Sequence, residues 1–127
     1  MKPFLALAVL AMPVAAIAAP ASRQITVEMT SSGFVPRIIT MRPGRPYVMR
    51  FVNHSDRGHD FSPGRFFNAA RVTRGGYAIR GNKIDLDPGQ SATIRLTAPD
   101  TPGARYTFRS HNVADVASGL KGYIYIR

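Results

Sequence analysis

The sequence predicts an all-β domain, a two-sheet antiparallel Greek-key sandwich with one short helix in an insertion. From residue 24 onward, roughly seven or eight short stretches of alternating apolar and polar residues follow one another, the pattern of half-buried strands. Turn-forming Pro and Gly residues separate these stretches. The sequence has no long helical pattern and no internal repeat, so the strands have to bury their apolar faces against one another.

In the N-terminal half, residues 24–29, 37–41 and 47–53 are predicted strands. Apolar residues occupy every second position in the first and third of them, which places those side chains on one face of each strand. A Pro-Gly pair at positions 43 and 44 favours a turn between the second and third.

The middle of the chain is less regular. Residues 65–72 are predicted to form a helix of two turns, in which Phe66 and Phe67 are interpreted as a hydrophobic plug under the insertion. Residues 83–99 predict a hairpin, because positions 87–90 read Asp-Pro-Gly-Gln, the pattern of a type II turn. Taking all strands together, we expect the following side chains to be largely buried between the sheets: Ile25, Val27, Phe51, Ile94, Leu96, Tyr106, Phe108, Ile124 and Ile126.

Residues 1–18 are predicted to be a signal peptide. A short positive start precedes an almost wholly apolar stretch over 4–19, and Ala16-Ile17-Ala18 has the small residues of a cleavage site. Cleavage after Ala21 is the alternative, because Ala19-Pro20-Ala21 satisfies the same rule. Residues 22–127 are then an exported domain, periplasmic or secreted. An uncleaved anchor is disfavoured because the apolar stretch is shorter than the roughly 20 residues of a bilayer span, so the mature form is predicted to have no transmembrane span.

The chain contains no cysteine, which is informative for an exported protein. Disulfides form in oxidising compartments, so the stability of this domain is predicted to come from core packing alone. A metal site with a thiolate ligand is excluded.

The charge is strongly positive, with 17 Lys and Arg residues against 7 Asp and Glu. Loss of Lys2 with the leader leaves 16 against 7, a net charge of +9. Such a field attracts an acidic protein or an anionic surface, which are the predicted partners. Nucleic acid is not predicted, because the chain has no run of consecutive basic residues and no recognisable nucleic-acid motif. A merely solvated basic surface is the simpler alternative.

The C-terminal residues resemble the closing hairpin of a cupredoxin. The family pattern is Gly-x-Tyr-x-Phe-x-Cys, a ligand loop with a His, and Gly-Met-x-Gly-x-Ile-x-Val; this chain has Gly103-Ala104-Arg105-Tyr106-Thr107-Phe108-Arg109-Ser110-His111 and then Gly119-Leu120-Lys121-Gly122-Tyr123-Ile124-Tyr125-Ile126. The N-terminal half is similar to the family as well, with Phe34-x-Pro36 ahead of two strands and Asn53-x-Ser55 leading into His59-Asp60-Phe61. The resemblance therefore covers both halves of the domain and implies a cupredoxin-like fold.

The resemblance also implies where the copper ligands would lie. His59 corresponds to the family's first His ligand, Ser110 to its Cys and Leu120 to its axial Met, and His111 follows Ser110 directly. A blue-copper site consists of two imidazoles, a thiolate and a weak axial thioether, whereas a serine hydroxyl is a poor copper ligand and leucine has no donor atom. This is a degenerate type 1 site. Because side chains alternate along a strand, an inward Ser110 turns His111 outward unless the chain bends directly after Ser110.

The remaining histidine, His54, has no counterpart among the family's ligands and is interpreted as a solvent-facing loop residue. For His59, a partly buried histidine held by a backbone hydrogen bond is the alternative to a ligand.

Three functions follow. In the first, His59 and His111, with water or a carboxylate such as Asp115, hold Cu(II) weakly in a site of nitrogen and oxygen ligands. In the second, the domain is a metal-free binding or assembly module that acts through its basic surface. A copper electron carrier is the third and least favoured. The cofactor is accordingly copper outside a blue type 1 site, or none.

An enzyme is not predicted, and no catalytic residue is assigned, because no Ser-His-Asp or paired-carboxylate arrangement is found.

Overall fold

The computed structural model describes residues 2–4, 6–15, 21–112 and 120–127. Nearly all of the regular secondary structure in the described chain is strand. A single turn of α-helix, α1 (Phe66–Ala69), and one turn of 3₁₀ helix at Gly76–Ala78 interrupt it. The strands are β1 (Arg23–Thr30), β2 (Gly33–Val35), β3 (Ile38–Met41), β4 (Pro46–Asn53), β5 (His59–Phe61), β6 (Arg71–Arg74), β7 (Ile84–Leu86), β8 (Ser91–Thr97), β9 (Arg105–Arg109) and β10 (Lys121–Ile126).

The strands form two layers. The first is a five-stranded sheet in the order β2-β1-β4-β8-β6. The second consists of β3-β10-β9 and the pair β5-β7. Reciprocal backbone hydrogen bonds between Ser62 and Arg109, 2.9 and 3.0 Å long, connect the end of β5 to β9. Residues that follow β5 and β9 are therefore neighbours, and this places the candidate site.

Two of the strand pairs are parallel. β1 runs parallel to β4, with Val27 opposite Phe51, and β3 runs parallel to β10, with Ile39 opposite Ile124. The chain crosses from β2 in the first layer to β3 in the second and returns to β4, so β4 arrives beside β1 in the same direction. The other named pairs are antiparallel, among them the predicted closing hairpin of β9 and β10. The predicted β-sandwich with one short helix is confirmed.

The core between the layers is rich in phenylalanine. The Phe61 ring lies at its centre, with centroid distances of 4.7 Å to Phe51 in the first layer and 4.9 Å to Phe108 in the second. Such aromatic contacts hold the two sheets together. Of the side chains predicted to be buried, only Ile25 and Tyr106 are half-buried, and both pack against this core.

Residues 83–99 do not form the predicted hairpin. β7 pairs with β5, whereas β8 pairs with β4 and β6. The turn itself forms, since the Gln90 N–H donates to the Asp87 carbonyl at 3.0 Å and Gly89 has φ +75°. The end of β4 holds this turn, because Asn53 exchanges backbone hydrogen bonds of 2.9 Å with Gly89 and Gln90. The turn therefore carries the chain from one layer to the other.

The helix predicted over residues 65–72 is shorter than expected. Only Phe66–Ala69 is helical, and Arg71 already belongs to β6. Ala70 has extended backbone, with ψ 161°, and ends the helix because pairing of β6 with β8 requires an extended chain there. Phe66 and Phe67 are buried, as the hydrophobic plug predicts.

The described part of the predicted leader, residues 2–4 and 6–15, has no helix or strand, and its large apolar side chains are exposed. The two predicted cleavage signals lie outside the described residues except for Ala21. Within the described ranges, no helix has both the length and the apolar character needed to cross a membrane.

Candidate metal position

The centre of this region is a buried carboxylate. Asp60 lies in the middle of β5 and is 4% exposed. Its Oδ1 accepts hydrogen bonds from the backbone N–H groups of His111 (2.7 Å) and Asn112 (3.2 Å) and from the Ser110 hydroxyl (3.1 Å). Its Oδ2 accepts one from the Ser62 hydroxyl at 2.6 Å. One side chain thus fastens β5 to the start of the loop that follows β9.

These hydrogen bonds keep Asp60 ionised. Burial alone would raise the pKa of this carboxyl, but the hydrogen bonds from Ser62, from the backbone and ring of His111, and from Ser110 outweigh burial and hold the pKa below its ordinary value of 3.8. The position bounded by the family's ligands therefore carries a negative charge supplied by the protein itself.

Ser110, at the family's Cys position, belongs to this network. It is 2% exposed, its hydroxyl donates to Asp60 Oδ1, and the same oxygen accepts the Asp60 backbone N–H at 3.3 Å.

Leu120, at the family's axial position, is buried in the hydrophobic core. Its methyl carbon Cδ2 lies beside Gly33, 3.4 Å from where a Cβ on that glycine would stand. Leu120 therefore adds an apolar side chain to the core beside Gly33, and it has no atom that donates to a metal.

His111 does not point away from the site. β9 ends at Arg109, so the strand alternation stops there and the chain bends after Ser110. The His111 ring turns toward Asp60, with Nδ1 3.3 Å from Asp60 Oδ2, while the side chain stays 59% exposed. Because of this bend, the His111 and Ser110 side chains both face Asp60.

His59 is buried, at 4% exposure, and pairs with Leu86 of β7. His59 and His111 line one cavity of about 310 Å³, which Asp85 and Asp87 also line. Asp115, the predicted additional ligand, lies outside the described residues. His54 is not among the described residues that line this cavity: its side chain is 56% exposed, and its Nε2 lies 3.7 Å from a carboxylate oxygen of Glu28.

The donor set does not fit a blue type 1 centre. The chain has no cysteine to supply the thiolate, and the two positions where the family has sulfur ligands hold a hydroxyl committed to Asp60 and an aliphatic side chain. Among the residues that the structure describes, no group of three or more His, Cys, Asp or Glu side chains is arranged to hold a metal ion.

Residue patterns in the sequence pointed to His59, Ser110, His111 and Leu120 as the residues at the candidate metal position, but not to Asp60. The missed signal was local, an acid immediately after the predicted first ligand and two residues before a serine. In a strand whose three residues are all buried, a carboxylate needs several donors. Apart from Ser62, those donors lie about 50 positions further along the chain, where a sequence pattern does not reveal them.

No protein-family model and no curated protein sequence matches this chain. Solved structures do match it. Sodium dithionite-reduced auracyanin from the photosynthetic bacterium Roseiflexus castenholzii superposes with a TM-score of 0.60 at 22% identity, over 85% of this chain and 99% of that one. Auracyanin B gives a TM-score of 0.58 at 14% identity, over 87% and 93%. A copper nitrite reductase from Nitrosomonas europaea gives 0.59 at 12% identity, over 86% of this chain and 50% of that one. The chain therefore has the cupredoxin fold.

Proposed function

We propose that this protein is an exported binding module that uses a cupredoxin scaffold without a copper centre and recruits an anionic partner through its basic surface. One observation carries the proposal. All 14 arginines are exposed, and none of them forms an ion pair within 4.0 Å with any acid that the structure describes. Exposed guanidinium groups without carboxylate partners of their own are available to carboxylates of another molecule.

The Asp60 network supports the same proposal. Its hydrogen bonds connect Ser110 and His111, the first residues after β9, to β5 in the way that a shared metal ligand would. This connection is made by protein groups.

Poly-L-glutamate is a suitable probe of the binding function, because it is an acidic polypeptide with no other specific feature. The purified protein should bind fluorescently labelled poly-L-glutamate at low salt, measured by anisotropy, and should not bind poly-L-lysine of the same length. Failure to bind poly-L-glutamate at an ionic strength of about 0.01 M, where the Debye length is about 30 Å, would remove the basis of this proposal.

Weak Cu(II) binding is the second candidate function, favoured by a different observation. His59 and His111 line the same cavity, and the contact between His111 Nδ1 and Asp60 resembles the carboxylate contact that orients metal-ligating histidines. With Nδ1 donating to the carboxylate, Nε2 of the exposed ring carries the lone pair that a metal takes.

Titration with Cu(II), followed by absorbance and metal analysis, tests this second candidate. Binding through both imidazoles should be lost in His59→Ala and in His111→Ala and kept in the matched control His54→Ala. No thiolate-to-copper charge-transfer band should appear in any variant, because the chain has no cysteine. Stoichiometric binding that survives in His59→Ala would refute the two-imidazole site.

A further inference from the structure

The outer surface of β9 and β10 combines tyrosine with basic side chains. Gly122, Ile124 and Ile126 of β10 are buried, and so is Phe108 of β9, so the residues between them point outward. We define the tyrosine–arginine face as Arg105, Arg109, Lys121, Tyr123, Tyr125 and Arg127.

Two cation–π contacts order this face. The Arg105 guanidinium carbon lies 5.4 Å from the Tyr123 ring centroid, and that of Arg127 lies 5.5 Å from the Tyr125 centroid. The two rings are 6.2 Å apart. A guanidinium that rests on a ring has lost part of its rotamer freedom before any partner arrives, so less entropy is lost on binding.

Positive charges are also adjacent to each other on the tyrosine–arginine face. Lys121 and Arg109 are directly opposite each other in the β9–β10 register, an arrangement that destabilises a sheet. None of the four cationic side chains of the face pairs with an acid in the described part of the chain. An anionic partner would relieve this repulsion.

The other outer surface, on the five-stranded sheet, is basic but different in kind. Arg50 lies opposite Thr26 on one side and Thr93 on the other, and Arg95 lies opposite Arg74. Among the residues that the structure describes, none of these arginines has a cation–π contact. This surface therefore carries exposed arginines that do not stack on tyrosine, and it serves as a comparison.

We propose, building on the function proposed above, that the tyrosine–arginine face is the docking surface and that its partner is an acidic protein segment. Tyrosine and arginine are the residue types that dominate binding energy in protein interfaces. Guanidinium groups stacked on Tyr123 and Tyr125 cover ring area that a sugar would stack on, and they leave their N–H edges for carboxylates.

An apolar position lies beside this face and favours a protein over a lipid partner. Ile38 of β3 is 60% exposed and pairs in register with Tyr123. This exposed isoleucine, next to the arginines of the face, is complementary to a polypeptide segment that has one apolar side chain among several carboxylates. Insertion into a bilayer would require a larger apolar area.

The test compares two variants that lose the same charge. Arg105→Gln/Arg127→Gln removes both stacked cations, and Arg50→Gln/Arg95→Gln removes two cations from the opposite surface. We expect the first variant to bind labelled poly-L-glutamate about tenfold more weakly than the unmodified protein, and the second to lose no more than about twofold, because only its long-range field changes. Arg105→Lys, which keeps the charge but not the planar fork, should also weaken binding. Circular dichroism and thermal melting establish that each variant is folded.

The outcomes separate the two proposals. Equal losses in the two double variants, while the unmodified protein still binds poly-L-glutamate, would overturn the docking face and leave the general basic binding module. No binding of poly-L-glutamate by the unmodified protein would overturn both. Tighter binding to phosphatidylglycerol vesicles or to polygalacturonate than to poly-L-glutamate would overturn the choice of an acidic polypeptide.

Discussion

At the scale of single residues, Asp60 shows what sequence reasoning reaches at this site and where it stops. Motif spacing pointed to His59, which lies in β5, and to Ser110, which lies directly after β9. The role of Asp60 was not predictable, because its partners Ser110 and His111 follow β9, about 50 positions further along the chain. The bend that turns His111 toward Asp60 is likewise a tertiary effect, since a strict strand alternation predicts the opposite side.

Replacement of the carboxylate tests its structural role. In Asp60→Asn, one acceptor oxygen becomes an amide group that faces the buried Ser62 hydroxyl and the exposed His111 ring, so these two donors lose an acceptor. We expect a loss of about 2–3 kcal/mol in the free energy of unfolding, measured by chemical denaturation. The control Asp56→Asn changes an exposed carboxylate and should stay within about 0.5 kcal/mol. Equal stability of Asp60→Asn and the unmodified protein would contradict the cross-linking role.

The same carboxylate predicts a pH dependence. The pKa of Asp60 is lower in the folded protein than its ordinary value of 3.8, so the unfolded chain takes up a proton first as the pH falls. The stability that Asp60 contributes is therefore fully present above that value and is lost as the pH drops through the folded pKa. The stability difference between the unmodified protein and Asp60→Asn should stay constant from about pH 7 to about pH 5 and shrink in stronger acid. A difference that already shrinks near neutral pH would contradict this assignment.

At the scale of elements, local alternation predicted most strands but not their partners. β9 and β10 pair as predicted, in keeping with the general tendency of consecutive strands to lie side by side. The parallel pairing of β1 with β4 depends on the chain crossing between layers. The stretch around Gly89 was misassigned for a related reason, since a turn sequence specifies a reversal but does not specify whether both strands stay in one sheet.

In the closing hairpin, Gly122 lies too close to its neighbours to leave room for a side chain. It lies opposite Phe108 in the register, and a Cβ at this position would overlap both the Phe108 ring and the Arg37 carbonyl oxygen. Gly122→Ala should therefore lower the free energy of unfolding by at least about 2 kcal/mol in chemical denaturation. The control is Gly76→Ala, where the added carbon meets Val72 at an ordinary 3.5 Å. A Gly122→Ala variant as stable as Gly76→Ala would show that the core ring moves aside at little cost.

At the scale of the whole molecule, the amino-acid composition predicted a positive electrostatic field but not how the positive charges are arranged on the surface. The excess of arginine is evident from the sequence, and so is the expectation of an anionic partner. The register of the strands determines which arginines stack on tyrosine. In the β9–β10 pair, Tyr125 is directly opposite Arg105, but Arg105 stacks on Tyr123, which is diagonal to it. A count of charges therefore does not distinguish the two outer surfaces.

The chemical nature of this charge gives the last prediction. Guanidinium groups keep their charge across the accessible pH range, so binding of poly-L-glutamate should be nearly constant from about pH 6 to about pH 9. Salt should act strongly instead, because the Debye length falls from about 10 Å at 0.1 M to about 3 Å at 1 M. Anisotropy titrations should show more than a tenfold loss of affinity over that salt range. An affinity that falls as the pH rises toward 8 and resists salt would assign the binding to the histidines rather than to the arginines.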